Sequence, residues 1–125
     1  MKKSEKTDKI CIKKILEYID DIKDCFDHYS IESYKNLENK RIAQYAITQI
    51  ITNIYELKKK IGDETLSKLP EFDKIRLAGA RNIASHNYDR VNFEIIYDIC
   101  KMLLNVKIER ELKEVAKDGG DSNDE

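Results

Sequence analysis

The chain has 125 residues, enough for one domain with its own core and short for two. Charged residues make up 38% of it and hydrophobic ones 41%, with one Pro and four Gly, a balance that suits long amphipathic helices and argues against a turn-rich sheet fold. A formal net charge of −1 excludes attraction of nucleic acid by the field of the whole molecule, so any RNA contact has to come from a local patch.

The first residues, Met1-Lys2-Lys3-Ser4-Glu5-Lys6, lead into mixed charged and apolar residues without a continuous apolar stretch, so no secretory leader is expected. No apolar run approaches the ~20 residues of a membrane span. Cys11, Cys25 and Cys100 are odd in number and form no C-x-x-C pair. They read as small core residues of a reduced, cytoplasmic protein, not as a disulfide framework or a zinc site.

A first helix is predicted from about Asp8 to His28. Ile12, Ile15, Leu16, Ile19, Ile22 and Phe26 recur at three- and four-residue spacing and form one stripe. A break follows at Tyr29-Ser30. The second helix is predicted from Leu37 to Ile61, with Ala43, Ala46, Ile50, Ile54, Leu57 and Ile61 as its core stripe. Gly62 reads as its C-terminal stop, and Lys58-Lys59-Lys60 as cations that offset its dipole. Asp63 can cap a short turn over Glu64 to Leu69, which Pro70 ends.

The third helix is predicted from Glu71 to Ser85 or His86, with Phe72, Ile75 and Ile83 on its apolar side and the small residues Ala78, Gly79, Ala80 and Ala84 permitting close approach. Asn92 caps a fourth, whose stripe is Phe93, Ile96, Cys100, Leu103 and Val106 and which continues through Leu112 and Val115. From Asp118 the acidic, Gly-rich DGGDSNDE is predicted to be disordered. The expected architecture is all-α: an antiparallel four-helix bundle over residues 1–117 with a short extra helical turn and a disordered tail over 118–125.

One segment concentrates polar chemistry. Two histidines in the whole chain leave little basis for a His-built metal site, no Glu-x-x-His pair supplies a di-metal ligand set, and no Gly-rich phosphate loop or G-x-S-x-G turn occurs. Neither a metal nor an organic cofactor is called for. His28 lies four residues after Asp24 near a helix end, the usual setting of a surface pair. His86 belongs to Arg81-Asn82-Ile83-Ala84-Ser85-His86-Asn87-Tyr88, inside a stretch from Lys74 to Arg90 with four cations (Lys74, Arg76, Arg81, Arg90) against the single acid Asp89. That stretch is the local basic patch, and Lys74, Arg76, Ser85 and Arg90 are its candidate RNA contacts.

Asn82 and His86 are i, i+4 neighbours on a helix, so the amide can fix the imidazole's tautomer. Arg81 and His86, five apart, point roughly 140° from each other on a regular helix. They converge only if His86 lies in an unwinding last turn or if a second subunit supplies the complementary group. An imidazole moves protons near neutral pH and a guanidinium binds phosphate oxygens in pairs, so together they suit metal-free attack of a ribose 2′-hydroxyl on the adjacent phosphorus. The plainer alternative is that Arg81 pairs with a neighbouring acid and His86 merely ends the helix.

The run R-N-x3-H-x-Y from Arg81 to Tyr88 resembles the R-x4-H-x-Y signature of HepT-like toxins, HEPN-superfamily ribonucleases encoded beside a minimal nucleotidyltransferase antitoxin, MntA. Asp73-Lys74-Ile75-Arg76-Leu77-Ala78-Gly79-Ala80 resembles that family's lead-in, and the similarity spans roughly Ile10 to Leu112. Thr52-Asn53-Ile54 and Pro70-Glu71-Phe72 depart from the family's usual small-acidic-small and Pro-Trp runs. The resemblance implies a HEPN-type helical homodimer with its two motifs facing one cleft. It makes Arg81 and His86 catalytic with Asn82 in support, and Tyr88 the tyrosine that the antitoxin modifies with AMP. It implies RNA and an MntA-like antitoxin as partners, the latter in a possible higher hetero-oligomer. Helical domains of this superfamily also serve as non-catalytic modules of nucleotidyltransferases, in which case Arg81 would hold a nucleotide phosphate.

Overall fold

The computed structural model describes residues 3–78 and 93–117. Every regular element among them is helical: α1 (Lys3–His28), α2 (Tyr34–Glu38), α3 (Arg41–Lys59), α4 (Asp63–Leu66), α5 (Pro70–Asp73), α6 (Phe93–Leu103) and α7 (Val106–Lys117). The chain is all-α, as its composition predicts. The predicted tail from Asp118 lies outside the described residues.

α1 is the central element and packs against both α3 and α7. Its predicted stripe is the core: Ile12, Ile15, Ile19, Ile22 and Phe26 are buried and Leu16 packs against them. The helix stops where the sequence places the break. Ser30 takes a left-handed φ of 53°, the Ile31 N–H donates to the Phe26 carbonyl (2.9 Å) and the Ser30 N–H to the Asp27 carbonyl (3.3 Å). These two bonds satisfy carbonyls that a helix end leaves open, while Ile31 and Phe26 are both buried.

Four boundaries differ from prediction, each for a local reason. The predicted second helix is two helices. Asn36 accepts the N–H groups of Glu32 (2.9 Å) and Ser33 (3.1 Å) to start α2, and the Gln44 amide donates to the carbonyls of Leu37 (2.9 Å) and Glu38 (3.0 Å) at its end. The buried face of α3 is also rotated by about one residue from the predicted one. Ala43, Ile47, Ile51 and Ile54 are buried, whereas Ala46, Ile50 and Leu57 of the predicted stripe are only half-buried. α3 has apolar residues on more than one side, and apolar periodicity alone cannot choose between them.

Gly62 has an ordinary extended backbone (φ −70°, ψ 157°) and stands before α4 as its first flanking residue; the predicted cap, Asp63, is already helical. The predicted third helix is interrupted after α5. Lys74, Ile75 and Arg76 are not helical, and the chain is helical again at Leu77 and Ala78. Ile75 and Leu77 would lie roughly 200° apart on one continuous helix. The break lets both be buried. The predicted fourth helix bends at Leu104-Asn105, where the Asn105 carboxamide accepts the Lys107 N–H (2.8 Å) and restarts the chain as α7. α6 then packs against α2 and α7 against α1 and α5, and Val106, predicted for the core, is 58% exposed because the restart changes the helical phase.

Asp8, predicted as a helix start, is internal to α1 and only 5% exposed. Its carboxylate accepts the Gly62 N–H (3.3 Å) and the Thr65 hydroxyl (2.6 Å), so α1 caps α4 from across the fold. Removing that acceptor leaves two partly buried donors unmatched. Asp8→Ala is expected to lower unfolding stability by about 1–3 kcal/mol in urea melts, whereas Asp8→Asn, which retains a carbonyl acceptor, loses less; equal stability of Asp8→Ala and the wild type would contradict this role.

Candidate active site

Six of the predicted site residues, Arg81, Asn82, Ser85, His86, Tyr88 and Arg90, lie outside the described residues. The structure describes how the chain is held on either side of them. On the entering side stands α5, a helix of four residues. So short a helix cannot satisfy its own backbone ends, and it depends on side chains from elsewhere.

Those side chains come from α7 and α3. Both carboxylate oxygens of Glu111 accept backbone N–H groups at the start of α5, from Glu71 (2.9 Å) and Phe72 (3.1 Å). Pro70 stands first in the helix, where its lack of an N–H costs nothing, so the carboxylate meets the next two donors. At the other end the Lys58 ammonium reaches the Asp73 carbonyl (3.0 Å) and carboxylate (3.2 Å), passing 5.7 Å from the centroid of the Phe72 ring. An anion at the N-terminus and a cation at the C-terminus match the helix dipole at both poles. Phe72, fully buried, fixes the helix to the core.

On the leaving side, Phe93 packs against the core and Ile96 is buried. Tyr97 stacks on Phe26 of α1, with ring centroids 5.8 Å apart and planes at 11°, and its hydroxyl donates to the Glu32 carbonyl (3.0 Å). The described residues on either side of 79–92 are thus both anchored to the core.

Two candidate RNA contacts are described. Lys74 follows α5 directly, is exposed, and forms an ion pair with Glu71 at 3.2 Å. Arg76 is exposed in the break before Leu77. The structure brings them to one short stretch at the entrance to the basic segment. An open groove of about 560 Å³ between α5 and α7 is a poorer phosphate site: Lys68, Lys107 and Arg110 on its walls are matched by Glu71, Glu111 and Glu114. Among the described residues no group of His, Cys, Asp and Glu gathers that could hold a metal ion. The cysteines pack in or against the core. Cys11 and Cys100 are buried, and burial, with Cys25 nearby, pushes the Cys100 thiol up to about 12. Burial also raises Cys25. His28, in the last turn of α1, sets its ring edge-on against Tyr29 at 4.6 Å.

The sequence did not point to Glu111 or to the destination of Lys58. Pro70 signals a helix start whose donors need acceptors, but the acceptor lies 40 residues away. Lys58, expected to serve the end of its own helix, serves α5 instead. Glu111→Ala is expected to cost about 1–2 kcal/mol in chemical denaturation, because two partly exposed N–H groups lose a charged acceptor. Glu111→Gln, with one amide oxygen left, falls between; a change below ~0.3 kcal/mol for Glu111→Ala would show that the two bonds hold nothing.

A family model described as Ribonuclease HepT-like matches residues 15–117. Two curated proteins of Methanocaldococcus jannaschii are similar along most of their length. The protein named Putative RNase MJ1216 is 32% identical over 111 residues, which cover 87% of this chain and 88% of that one. Putative RNase MJ0125 is 30% identical over 104 residues, covering 83% and 86%. No solved structure matches the chain.

Proposed function

The chain belongs to the HepT-like ribonuclease family, and from that premise we propose that it is a metal-independent endoribonuclease of a toxin–antitoxin pair, acting in the cytoplasm as a homodimer. One observation carries this reading. The family match over 15–117 encloses a segment in which Arg81, Asn82, His86 and Tyr88 stand at the spacing of the signature that the sequence resembles.

In the proposed reaction the ribose 2′-oxygen bonds to the adjacent phosphorus as the bond from phosphorus to the 5′-oxygen breaks. His86 takes the 2′-hydroxyl proton, and water gives one to the departing 5′-oxygen. Arg81 holds the non-bridging oxygens as negative charge builds on them, a task for a cation that never loses its proton. Asn82 orients the imidazole. The products are a 2′,3′-cyclic phosphate and a 5′-hydroxyl. Lys74, Arg76, Ser85 and Arg90 guide the RNA backbone, with Lys74 and Arg76 exposed at the entrance as that task requires. Free, mostly buried thiols suit a reducing compartment, and no described helix is long and apolar enough to cross a membrane.

The expected behaviour is cleavage of RNA by the purified protein in EDTA, with cyclic phosphate ends. His86→Ala should lose at least about 10²-fold in rate while keeping its far-UV circular dichroism; cleavage by that variant at the wild-type rate removes the mechanism.

Silencing is proposed to occur by transfer of AMP to the Tyr88 hydroxyl from a minimal nucleotidyltransferase, with pyrophosphate leaving from ATP. Tyr88→Phe should then still arrest growth when expressed alone and should resist the co-expressed antitoxin. A mass shift of one or more AMP groups, present in the wild type and missing in Tyr88→Phe, is the direct measurement. Growth equal to that of an empty-vector strain on expression of the wild type without antitoxin would instead favour a non-catalytic module.

A further inference from the structure

α3 has an unusual outer face. From Ile42 to Tyr55 the chain runs through fourteen residues without a single charge. At the overall charged fraction of 38%, about five would be expected there. Burial accounts for only part of the run: Ala43, Ile47, Ile51 and Ile54 are buried, and Ile50 and Tyr55 pack against the core, but the remaining positions are open to solvent to differing degrees. Ile42 is 61% and Tyr45 59% exposed, Gln49 is exposed, and Ala46, Ile50 and Asn53 are half-exposed. Ile42, Ala46, Gln49 and Asn53 fall within about 60° of one another on the helix, roughly 120° round from the buried Ala43, Ile47, Ile51 and Ile54. A surface helix normally turns its charged side to water. This one turns apolar groups and carboxamides outward, with Gln49 bonded to Asn53 at 2.8 Å. Depletion of charge with aromatic enrichment is the mark of an interface centre.

The occupant follows from the charges at the ends of the run. Arg41 bounds it at one end and Glu56 at the other. Arg41 is folded onto the face, its Nε 3.2 Å from the Tyr45 hydroxyl and its guanidinium 5.7 Å from the ring centroid. Glu56 carries its own exposed pair with Lys59 at 3.1 Å. A strongly charged partner would find nothing to pair with between these ends. A second copy presents the same uncharged strip and the same carboxamides, which both donate and accept and so can satisfy their own kind. Laid antiparallel, each copy's Arg41 comes beside the partner's Glu56 and the helix dipoles oppose; laid parallel, like charges would face each other.

We propose that this face of α3 is the surface through which two copies of the chain pair, antiparallel, about a two-fold axis near Gln49. The inference rests on the paired-subunit reading above and adds the surface and its orientation.

Sedimentation velocity at tens of micromolar tests it. The wild type is expected to sediment as a dimer, and Ile42→Glu combined with Tyr45→Glu as a monomer of unchanged helicity, since both positions are exposed. Arg41→Glu and Glu56→Arg should each weaken dimerisation at least 10-fold, and the two together should restore most of it. Gln49→Cys, oxidised with copper phenanthroline, should give a covalent dimer on a non-reducing gel where the wild type gives none. A monomeric wild type, an undisturbed dimer in the Ile42→Glu, Tyr45→Glu variant, or failure of the charge swap to restore pairing overturns the proposal. RNA cleavage is scored separately in the same samples. A dimer through another face with His86-dependent cleavage sinks this surface and spares the ribonuclease reading, while pairing through α3 without any cleavage does the reverse.

Discussion

A helix shorter than two turns cannot satisfy its own ends, and the described residues contain three of them, α2, α4 and α5, within about forty residues. The long helices supply what they lack. Gln44 of α3 closes α2, Asp8 of α1 opens α4, Glu111 of α7 opens α5, and Lys58 of α3 closes it. Each of these side chains bonds to backbone atoms, so each fixes chain position more than side-chain identity. The result is a bundle in which the connections are tied to the helices they join. The backbone that enters the basic segment at Leu77 inherits that order from α3 and α7 together, which explains why a four-residue helix can hold a defined place at the surface of the core.

The core beneath is simpler. α1 presents one aliphatic stripe and lies between α3 and α7, so a single helix organises two neighbours. Burying each Ile of that stripe contributes roughly 1.5–3 kcal/mol, and the stripe has several of them where each short helix has one or two caps. The caps and the core therefore act on different things. Apolar burial makes the bundle stable, and the cross-bundle bonds decide where its short segments sit. Loss of a cap would shift the site's entrance before it threatened the fold.

Much of this was legible beforehand, and the exceptions have physical causes. The stripe of α1 was readable because nearly all its large apolar residues occupy one side, Ile10 excepted, and charges fill most of the other. The stop at Tyr29-Ser30 was readable from the loss of that pattern. α3 was misphased by one residue because it has apolar groups on two faces, Ile47 and Ile51 inward and Ile42 and Tyr45 outward, and a sequence window cannot say which is covered. The bends at Lys74–Arg76 and at Asn105 were missed because apolar spacing runs through both without interruption. Asn105 was the available signal, as a cap residue in the middle of a predicted helix. For the site, the motif from Arg81 to Tyr88 could be found because its chemistry sits within eight residues. Glu111 and Lys58 could not, since their partners lie 39 and 15 residues away.

The placement of charge connects the proposed pairing with the proposed chemistry. A protein with a net charge of −1 that acts on a polyanion must keep a region where cations outnumber acids, and residues 74–90 hold four against one. Elsewhere acids stand beside several of the cations, as in the groove between α5 and α7, where the two signs cancel, or on α7, where Glu109 and Lys113 meet at 2.7 Å. An uncharged strip on α3 lets two copies approach without drawing on the basic segment for attraction. Had pairing relied on lysines and arginines, the cations needed for phosphate would have been engaged by the partner subunit. A strip whose centre is made of carboxamides, Ile and Tyr leaves them available, and only the Arg41–Glu56 pairs at its two ends would share the salt sensitivity of phosphate binding. The proposed dimer would therefore weaken with salt through two pairs of charges, and RNA binding through every phosphate contact, so the binding of RNA would fade first.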